Sequence, residues 1–302
     1  MDTSVDFPLV SVGIPTYNRP EGLGCILQSV VRQQYPRMEI IVSDNASSGD
    51  AGQQVLDVMA AFASDPRITF YRQPENTGAV ENFRFVRKKA HGEFFIYASD
   101  DDEWLDHHLE KLMRVHMQGE YVLVASSQWH RHPDSDKLFA FLPIRKSVFT
   151  GDVKKQLRNY LRLHHWNCAK ACIIYGVFRT SAMPDFMEFP GIEQEMLAVG
   201  ADLLYLYEVM SRGKVYLLPE KTWIRSERFV FSPYKEMYMS IKKKMLDFIR
   251  KKELVDPGRV PEAIDLYHKH IEEIFRRAGF TEKELNKCLA YSKKQLHSLF
   301  LS

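Results

Sequence analysis

The sequence lacks the features that mark several large classes of protein. Its 302 residues include four cysteines, too few for the paired framework that stabilises small secreted domains. No apolar run approaches the ~20 residues that a membrane-spanning helix needs, and Met1–Asp6 is acidic without an apolar core, so we expect no signal peptide. The formal net charge of +2 is too small to favour a nucleic-acid partner. Together these features predict a cytoplasmic protein.

The first hundred residues alternate between apolar strands and helices. Strands are predicted at 9–14, 39–43, 68–71 and 93–98, and helices at 21–34, 50–62 and 79–90. Strands that alternate with helices indicate an α/β fold with a mostly parallel, doubly wound, Rossmann-like sheet. In such sheets ligands bind beyond the carboxyl ends of the strands. The loops after the first, second and fourth strands are therefore the candidate site.

The rest of the chain divides near Pro233. Before it, the pattern predicts a strand at 121–125, a helix at 152–163 and a late strand at 214–218. After it, apolar residues recur at steps of three and four, which predicts amphipathic helices. The last of them begins at Thr281, with Glu284 completing a capping box. We expect an α/β domain over 1–232, with a nucleotide-binding half (1–118) and an acceptor half (119–232), and a helical extension over 233–302.

The extension is cationic, with 15 Lys and Arg against 10 Asp and Glu in residues 233–302. Lys242–Lys244 and Arg250–Lys252 contribute to this excess. The apolar faces of its three predicted helices are expected to pack on the α/β domain, on a second copy of the chain, or on an anionic membrane surface. A solvated basic face over a packed helical core is the simpler of these alternatives.

A run of three carboxylates, Asp100, Asp101 and Asp102, follows directly after the apolar strand at 93–98. Adjacent carboxylates raise each other's pKa unless a cation neutralises them. Mg²⁺ or Mn²⁺ bound through one or two carboxylates and phosphate oxygens would supply that neutralisation. An acidic helix cap is the alternative, but the position at the ligand-binding edge of the sheet favours a divalent metal site.

The other candidate loops carry polar and aromatic side chains. After the first strand come Pro15, Thr16, Tyr17, Asn18 and Arg19, where a tyrosine can pack on a base and Thr or Arg can meet phosphate. Asp44 follows the second strand and can accept a hydrogen bond from a base or ribose, or can simply form an Asx turn. Asn76 and Gly78 form a turn into a helix, where glycine permits close backbone approach.

In this order and spacing, these segments resemble the family 2 glycosyltransferases of the GT-A fold. The matching stretches are Val10–Arg19, Ile40–Asn45, Glu75–Gly78 and Gly92–Asp102. The resemblance is good over residues 8–118, weaker to about 230 and absent beyond. It implies an inverting, metal-dependent transferase that takes a sugar from a nucleotide-diphospho-sugar, with UDP the expected nucleotide. A saccharide or lipid-linked acceptor in polysaccharide or glycolipid biosynthesis, with possible peripheral contact at the inner membrane face, is the role that it implies.

The resemblance also assigns roles in the first half of the chain. Asp44 would contact the base, Asp100 the ribose and Asp101 the metal, and the loop from Pro15 to Arg19 would line the nucleotide pocket. The family usually has Asp-x-Asp-Asp, whereas this chain has Ser99 at the first position. The register of the metal ligands therefore remains open among Asp100, Asp101 and Asp102.

The catalytic base is expected where an acidic residue opens a helix that ends before an Arg-Gly turn and a strand. Gly200–Gly213 has this shape and nominates Asp202. Its usual acidic neighbour is Ala201 here, and a plain helix cap is the alternative role for Asp202. Glu227 stands where the family often has a histidine, and is either a diphosphate-side residue or a surface glutamate. The competing carboxylates nearby are Asp185, Glu188, Glu193 and Glu195.

Two other functions remain open at this stage. A catalytically silent nucleotide-sugar-binding protein could have the same fold, because fold alone does not prove activity. A nucleotidyltransferase would share the α/β core and the metal. That class needs a glycine-rich phosphate loop after the first strand, and this chain has no glycine between Pro15 and Gly22.

Overall fold

The structure is a computed structural model that describes residues 7–132, 135, 137–140, 144–165, 168–226, 255, 256 and 258–300. The strands are β1 Val10–Thr16, β2 Met38–Asp44, β3 Ile68–Arg72, β4 Phe94–Tyr97, β5 Asp102–Trp104, β6 Tyr121–Arg131, β7 Leu138–Phe139, β8 Val177–Arg179 and β9 Lys214–Ser226. The helices are α1 Pro20–Val31, α2 Gly49–Ala61, α3 Ala79–Lys88, α4 His108–Met117, α5 Val153–Arg162, α6 Cys168–Cys172, α7 Glu193–Val199, α8 Ala201–Ser211, α9 Val260–Arg277 and α10 Glu282–Phe300.

These strands form one mixed sheet in the order β3-β2-β1-β4-β8-β6-β9-β5, with β7 paired to β6. The pairs among β1 to β4 are parallel, as predicted for the first half of the chain. The second half is different because β8 enters between β4 and β6 in the opposite direction. The predicted α/β fold is confirmed, with parallel pairing concentrated in residues 1–118.

The sheet register brings the candidate loops together. Thr16 is opposite Asp44 on β2, and Asp44 is opposite Arg72 on β3. On the other side of β1, Gly13 is opposite Tyr97, and the chain runs on from Tyr97 into the acidic run. The carboxyl ends of β1, β2 and β4 therefore meet at one edge, which is the position of ligand sites in open α/β sheets.

Two strand boundaries differ from the sequence prediction. β1 continues through Pro15 to Thr16, where a stop at Pro15 was expected. Proline is tolerated here because pairing with β4 has already ended at Gly13 and pairing continues only with β2. Asp102, expected in a loop, begins the short strand β5, which pairs antiparallel with β9.

The C-terminal helices α9 and α10 continue the apolar core below the second half of the sheet. Ala263, Tyr267 and Phe275 of α9 are fully buried. The predicted capping box is present: the Thr281 N–H donates to Glu284 Oε2 at 3.0 Å, and the Glu284 N–H donates to Thr281 Oγ1 at 3.4 Å.

The first predicted tail helix, near 234–248, lies outside the described residues, together with Lys242–Lys244 and Arg250–Lys252. Among the helices that are described, none combines the length and apolar composition needed to span a bilayer.

Candidate functional site

The loop after β1 contacts the acidic run directly. Thr16 Oγ1 donates a hydrogen bond to Asp100 Oδ2 at 2.8 Å. The Arg19 guanidinium lies 2.8 Å from Asp100 Oδ1 and 3.2 Å from Asp101 Oδ2. The structure thus brings together four of the predicted site residues, with Arg19 lying 81 and 82 residues along the chain from Asp100 and Asp101.

Two backbone features make this approach feasible. A Cβ placed on Gly22 would lie 1.9 Å from the carbonyl oxygen of Asp100, so only glycine lets α1 begin this close to the acidic run. Asn18 adopts a left-handed conformation with φ of 53°, which asparagine tolerates better than most residues. Its N–H donates to Ser47 Oγ at 2.7 Å, and its Oδ1 accepts from the Ser48 N–H at 3.0 Å. The loops after β1 and β2 are therefore held to each other.

Asp44 lies inside the loop after β2 and has no exposed surface. Its Oδ1 accepts from the Ser47 N–H at 3.0 Å, and its Oδ2 lies 3.5 Å from Arg72 Nε. This is the Asx-type arrangement that was left open as the alternative role. Contact between Asp44 and a nucleotide base stays a prediction.

Asparagines join the third candidate segment to the others. Asn45 Nδ2 donates to Asn76 Oδ1 at 2.8 Å and to the Gly78 carbonyl at 3.1 Å. Gly78 has φ of 90°, which favours glycine. Asn82 of α3 donates to the carbonyl of Thr16 at 3.2 Å. Sequence reasoning missed Asn45 and Asn82, although a buried polar side chain on the apolar face of α3 was a detectable signal.

The three carboxylates of the acidic run have different surroundings. Burial raises the pKa of Asp100, while Arg19 and Thr16 act in the opposite direction. Asp102 is buried at the start of β5. Asp101 is the open member, with 31% of its side chain exposed, and its Oδ1 accepts from Ser99 Oγ at 2.5 Å. Beside this loop, the ring of Tyr17 is 41% exposed.

These oxygens fit a divalent cation in chemical type, since Mg²⁺ and Mn²⁺ prefer carboxylate and phosphate oxygens. Within the described parts of the chain, no three His, Cys, Asp or Glu side chains are grouped so that they could hold a metal ion. One or two carboxylates suffice where phosphate oxygens and water complete the shell. Asp101, the most exposed of the three, is the residue best placed to take part in such a site.

Asp202 lies in the first turn of α8, whose N-cap position is occupied by Gly200 with φ of 123°. It is therefore not the N-cap residue, although its Oδ1 accepts from the Leu203 N–H at 2.8 Å. Burial raises the pKa of Asp202, and the charges of Lys170 and Arg225 partly offset that rise. An aspartate with a raised pKa is better suited to accept a proton than an exposed one.

Lys170 of α6 is a buried cation that sequence reasoning missed. It is 1% exposed, and its Nζ lies 4.9 Å from the ring centre of Tyr160 and 5.5 Å from that of Tyr207. Burial lowers the pKa of Lys170 to about 7, with Asp202 acting in the opposite direction. No periodicity in the short helix Cys168–Cys172 distinguished this lysine from a surface residue.

Arg225 connects the acidic run to Asp202. It is opposite Asp102 in the register of β5 and β9, and its guanidinium donates to Cys172 Sγ at 3.1 Å. Its charge lowers the pKa of Asp202. Burial, Asp102 and Asp101 raise the pKa of Tyr175, and the charge of Arg225 opposes that rise. Arg225 is thus the register partner of Asp102 and also acts on the pKa of Asp202, far along the chain from the acidic run.

The competing carboxylates have other roles or positions. Glu195 is buried and accepts from the Asp256 N–H at 2.8 Å. Glu193 accepts from the Gly191 N–H at 3.0 Å, and the Glu188 side chain is 74% exposed. The charge of Asp185 acts on Tyr205, where it adds to the rise that burial causes in the pKa of that tyrosine. Glu227 lies outside the described residues. Among the described candidates, Asp202 is the one on which Arg225, the register partner of Asp102, acts.

Comparisons with solved structures agree with this architecture. The complex of Staphylococcus aureus TarS with UDP-GlcNAc superposes with a TM-score of 0.64 at 17% identity, covering 96% of this chain and 73% of that chain. At this identity the likeness shows the fold alone. The helices α9 and α10 are included in the 96% that aligns, and the GT-A fold with its C-terminal helices is therefore confirmed.

Sequence comparisons identify the family. The chain is 31% identical over 198 residues to WfgD of Escherichia coli, a UDP-Glc:alpha-D-GlcNAc-diphosphoundecaprenol beta-1,3-glucosyltransferase, covering 63% of this chain and 68% of WfgD. It is 34% identical over 102 residues to the glycosyl transferase WcaA of E. coli K12, covering 34% of this chain. The chain spans 36% of WcaA and 50% of the Bacillus subtilis glycosyltransferase YwdF. The model of glycosyl transferase family 2 matches residues 11–175, which contain the loops described above, and the chain belongs to that family.

Proposed function

We propose that this protein transfers a sugar from a nucleotide-diphospho-sugar to a hydroxyl group, with inversion at the anomeric carbon. The observation that carries the proposal is the position of Arg225, which is the register partner of Asp102 in the acidic run and whose charge lowers the pKa of Asp202. Arg19, Asp100 and Asp101 form the first carboxylate site, and Asp202 is the second. Inversion needs a leaving-group site and a base on opposite faces of the sugar, and these two carboxylate sites can supply both.

A UDP-sugar is the donor that we propose. TarS, which has the same fold, forms complexes with UDP-GlcNAc and UDP, and the name of WfgD includes UDP-Glc. In this chain the exposed ring of Tyr17 can stack on a uracil base, and Thr16 and Arg19 lie where polar groups of the nucleotide would arrive. Pro15, Asn18, Asn76 and Gly78 shape the surrounding loops.

Divalent metal dependence is part of the proposal. Asp101 would hold Mn²⁺ or Mg²⁺, with Asp102 or Asp100 as the second ligand. When bound, the ion would neutralise charge on the departing diphosphate. Arg19 already touches both Asp100 and Asp101, so it can orient these carboxylates and can itself meet a phosphate oxygen.

Asp202 would act as the general base. It removes the proton from the acceptor hydroxyl as the oxygen attacks the anomeric carbon, and the diphosphate leaves from the opposite face. The nearby charges of Lys170 and Arg225 favour the carboxylate form of Asp202, while its burial preserves basicity. The acceptor is proposed to be a saccharide or lipid-linked saccharide in polysaccharide or glycolipid assembly at the cytoplasmic face of the membrane, as the acceptor named for WfgD suggests.

Binding of nucleoside diphosphates tests the donor site. UDP should raise the melting temperature more than GDP, ADP or CDP, because a ligand stabilises the folded state by mass action. Mn²⁺ should enlarge the UDP shift in the wild type and in Asp106→Asn, an exposed aspartate close to the run. Asp101→Asn should lose the enlargement. If Asp101→Asn keeps it, Asp101 is not a metal ligand and Asp102 should be tested next.

Release of UDP from the donor distinguishes a transferase from a silent binding protein. A transferase should release UDP from a UDP-sugar at a rate that rises when a suitable acceptor is added. A silent binder would show the UDP thermal shift but no acceptor-stimulated release. That second result would overturn the proposed reaction while leaving the donor site in place.

A further inference from the structure

A second cationic site lies away from the proposed catalytic centre, between α5 and α10. Arg158 and Arg162 of α5 and Lys287 and Tyr291 of α10 line a hollow of about 270 Å³. An adjoining hollow of about 400 Å³ shares the two arginines and is also lined by Lys154 and Lys155. Small-molecule pockets begin at about 300 Å³. The space between these helices is therefore large enough for a small ligand.

The cations occur in a row that is costly without a counterion. Lys154, Arg158 and Arg162 are spaced four residues apart, so they share one face of α5. Like charges at this spacing destabilise a helix. Arg158 Nε is buried and has no hydrogen-bond acceptor among the described residues. The row beside this hollow makes the face of α5 a candidate site for an anionic ligand.

The carboxylates in the two hollows are already engaged. Asp152 caps α5 by accepting from the Lys155 N–H at 2.6 Å. Glu284 accepts from the Thr281 N–H in the capping box, and lies 3.1 Å from Lys154 Nζ and 3.5 Å from the Arg158 guanidinium. Five cationic side chains thus face two carboxylates. The described part of the chain leaves an excess of three positive charges in this space.

We propose that the cleft between α5 and α10 binds a phosphate-bearing ligand that carries two or more negative charges, such as a diphosphate. Two arginines favour phosphate, because each guanidinium can donate two parallel hydrogen bonds to its oxygens. A single carboxylate ligand would leave most of the excess charge uncompensated. The exposed hydroxyphenyl group of Tyr291, whose OH donates to the Arg162 carbonyl at 3.0 Å, forms one wall.

This cleft is distinct from the donor site. Tyr160 is on the buried face of α5 and contacts Lys170 and Tyr207, next to Asp202. Arg158 and Arg162, each two residues away, point to the other side of the same helix. Gln156 anchors α5 to the end of α8, with its Nε2 donating to the carbonyls of Met210 and Gly213. The phosphate-bearing ligand would therefore bind on the outside of the helix layer that covers Asp202.

Inorganic pyrophosphate tests the cleft in the full chain, at low ionic strength and without divalent metal. We expect saturable binding by calorimetry in the wild type, and at least ~10-fold weaker binding in Arg158→Gln/Arg162→Gln, since charge-assisted hydrogen bonds are lost. Lys269→Gln/Lys293→Gln removes the same charge from exposed positions on α9 and α10 and should bind as the wild type does. Equal binding by both double variants, or none by the wild type, would overturn the proposal.

Two further measurements complete the test. If the arginine double variant does not fold, the exposed Lys287→Gln replaces it, with the same expectation of weaker binding. Sedimentation with phosphatidic acid vesicles, reversed by pyrophosphate and absent from the arginine variant, would identify a lipid headgroup as the source of the phosphate. Pyrophosphate binding without sedimentation would identify a phosphate ester in solution. Mn²⁺-dependent UDP binding should persist in the variant, so the two proposals can fail independently.

Discussion

At the scale of single residues, Asp202 is subject to opposing influences. Burial disfavours its charged form, while Lys170 and Arg225 favour it. The Asp202 carboxylate also raises the pKa of two buried tyrosines, Tyr160 and Tyr267. A general base must be ionised before the reaction and must hold a proton during it. These surroundings give Asp202 a pKa above the ordinary range of aspartate without removing the charges that keep it ionised.

Asp202→Asn should abolish transfer without destabilising the protein. We expect kcat to fall by ~10²–10⁴ with UDP binding preserved. A carboxylate with a raised folded-state pKa opposes folding at pH 7, because it is charged in both states but only the folded state buries it. The neutral amide should therefore leave the melting temperature unchanged or higher. Steady-state kinetics and thermal unfolding check both parts, and near-normal turnover would direct attention to Glu195.

Lys170→Met should change the pH dependence of turnover. Removing the cation raises the pKa of Asp202, so the acid limb of the kcat profile should move to higher pH, while Arg225 remains in place. At high pH, where Asp202 is ionised in both proteins, the rates should converge. Lys269→Met, an exposed lysine on α9, should not shift the limb. A uniform loss of rate at every pH would instead assign Lys170 a purely structural role.

At the scale of elements, the sequence predicted the strands and helices that have a local pattern of apolar residues and boundary residues. β1, β2, β4 and the helices between them have apolar periodicity and glycine or proline boundaries, and the capping box of α10 is a local signal. β5 could not be predicted because three residues have no usable period, and it exists through pairing with β9. The boundary at Pro15 was wrong because pairing on the β2 side alone sustains the strand.

The candidate site likewise contains residues that the sequence could predict as neighbours and residues that it could not. Thr16, Arg19, Asp100 and Asp101 were predictable as neighbours because parallel strands end at one edge of the sheet. Lys170 and Arg225 were not, since α6 and β9 reach this edge only through tertiary packing. The segment around Lys170 has no motif, and Arg225 lies two residues before Glu227 in a stretch where the family resemblance singled out only Glu227. Their contribution to the surroundings of Asp202 could be seen only in three dimensions.

Gly22→Ala should disturb the acidic run, because the added Cβ would meet the Asp100 carbonyl, and backbone cannot yield as a flexible side chain does. We expect a loss of ~1–3 kcal/mol in the free energy of unfolding and weaker UDP binding. Gly24→Ala on the same helix is the matched control, since its Cβ would have no neighbour closer than 4.0 Å. It should be neutral or stabilising by ~0.5–1 kcal/mol. Chemical denaturation of both variants decides, and equal stability would show that α1 can move away.

At the scale of the whole molecule, α9 and α10 are part of the wall behind the proposed base. Tyr267 of α9 is buried, with its ring centre 5.6 Å from that of His165, and burial together with Asp202 raises its pKa. His165 in turn bonds the Val199 carbonyl at the junction of α7 and α8. The C-terminal helices thus stabilise the helix that presents Asp202. Their apolar faces are used within the chain.

Three buried histidines link folding to pH. Burial lowers the pKa of His108 and His165 to about 3 and that of His116 to about 4. Each is bonded in its neutral form: His108 to Thr222 at 2.6 Å, His116 to the Val177 carbonyl at 2.9 Å and His165 to the Val199 carbonyl at 2.5 Å. These contacts join α4 to the sheet and the segment after α5 to the end of α7. Protonation would place a buried positive charge at each of these three positions, which is unfavourable.

Acidification from pH 7 to pH 5 should therefore lower the melting temperature. The unfolded histidines bind protons below about pH 6.5 and the folded ones do not, so the unfolded state gains protons and is favoured as pH falls. Asp100 and Asp202, with raised pKa values, act in the opposite sense, but they are outnumbered, since burial also lowers the pKa of His164 and His268. His116→Gln keeps a donor for the Val177 carbonyl. It should weaken the dependence of the melting temperature on pH, because the unfolded state then gains about one proton fewer on acidification. Calorimetric scans of both proteins at pH 7, 6 and 5 measure this slope, and a flat wild-type profile would mean that these histidines titrate alike in both states.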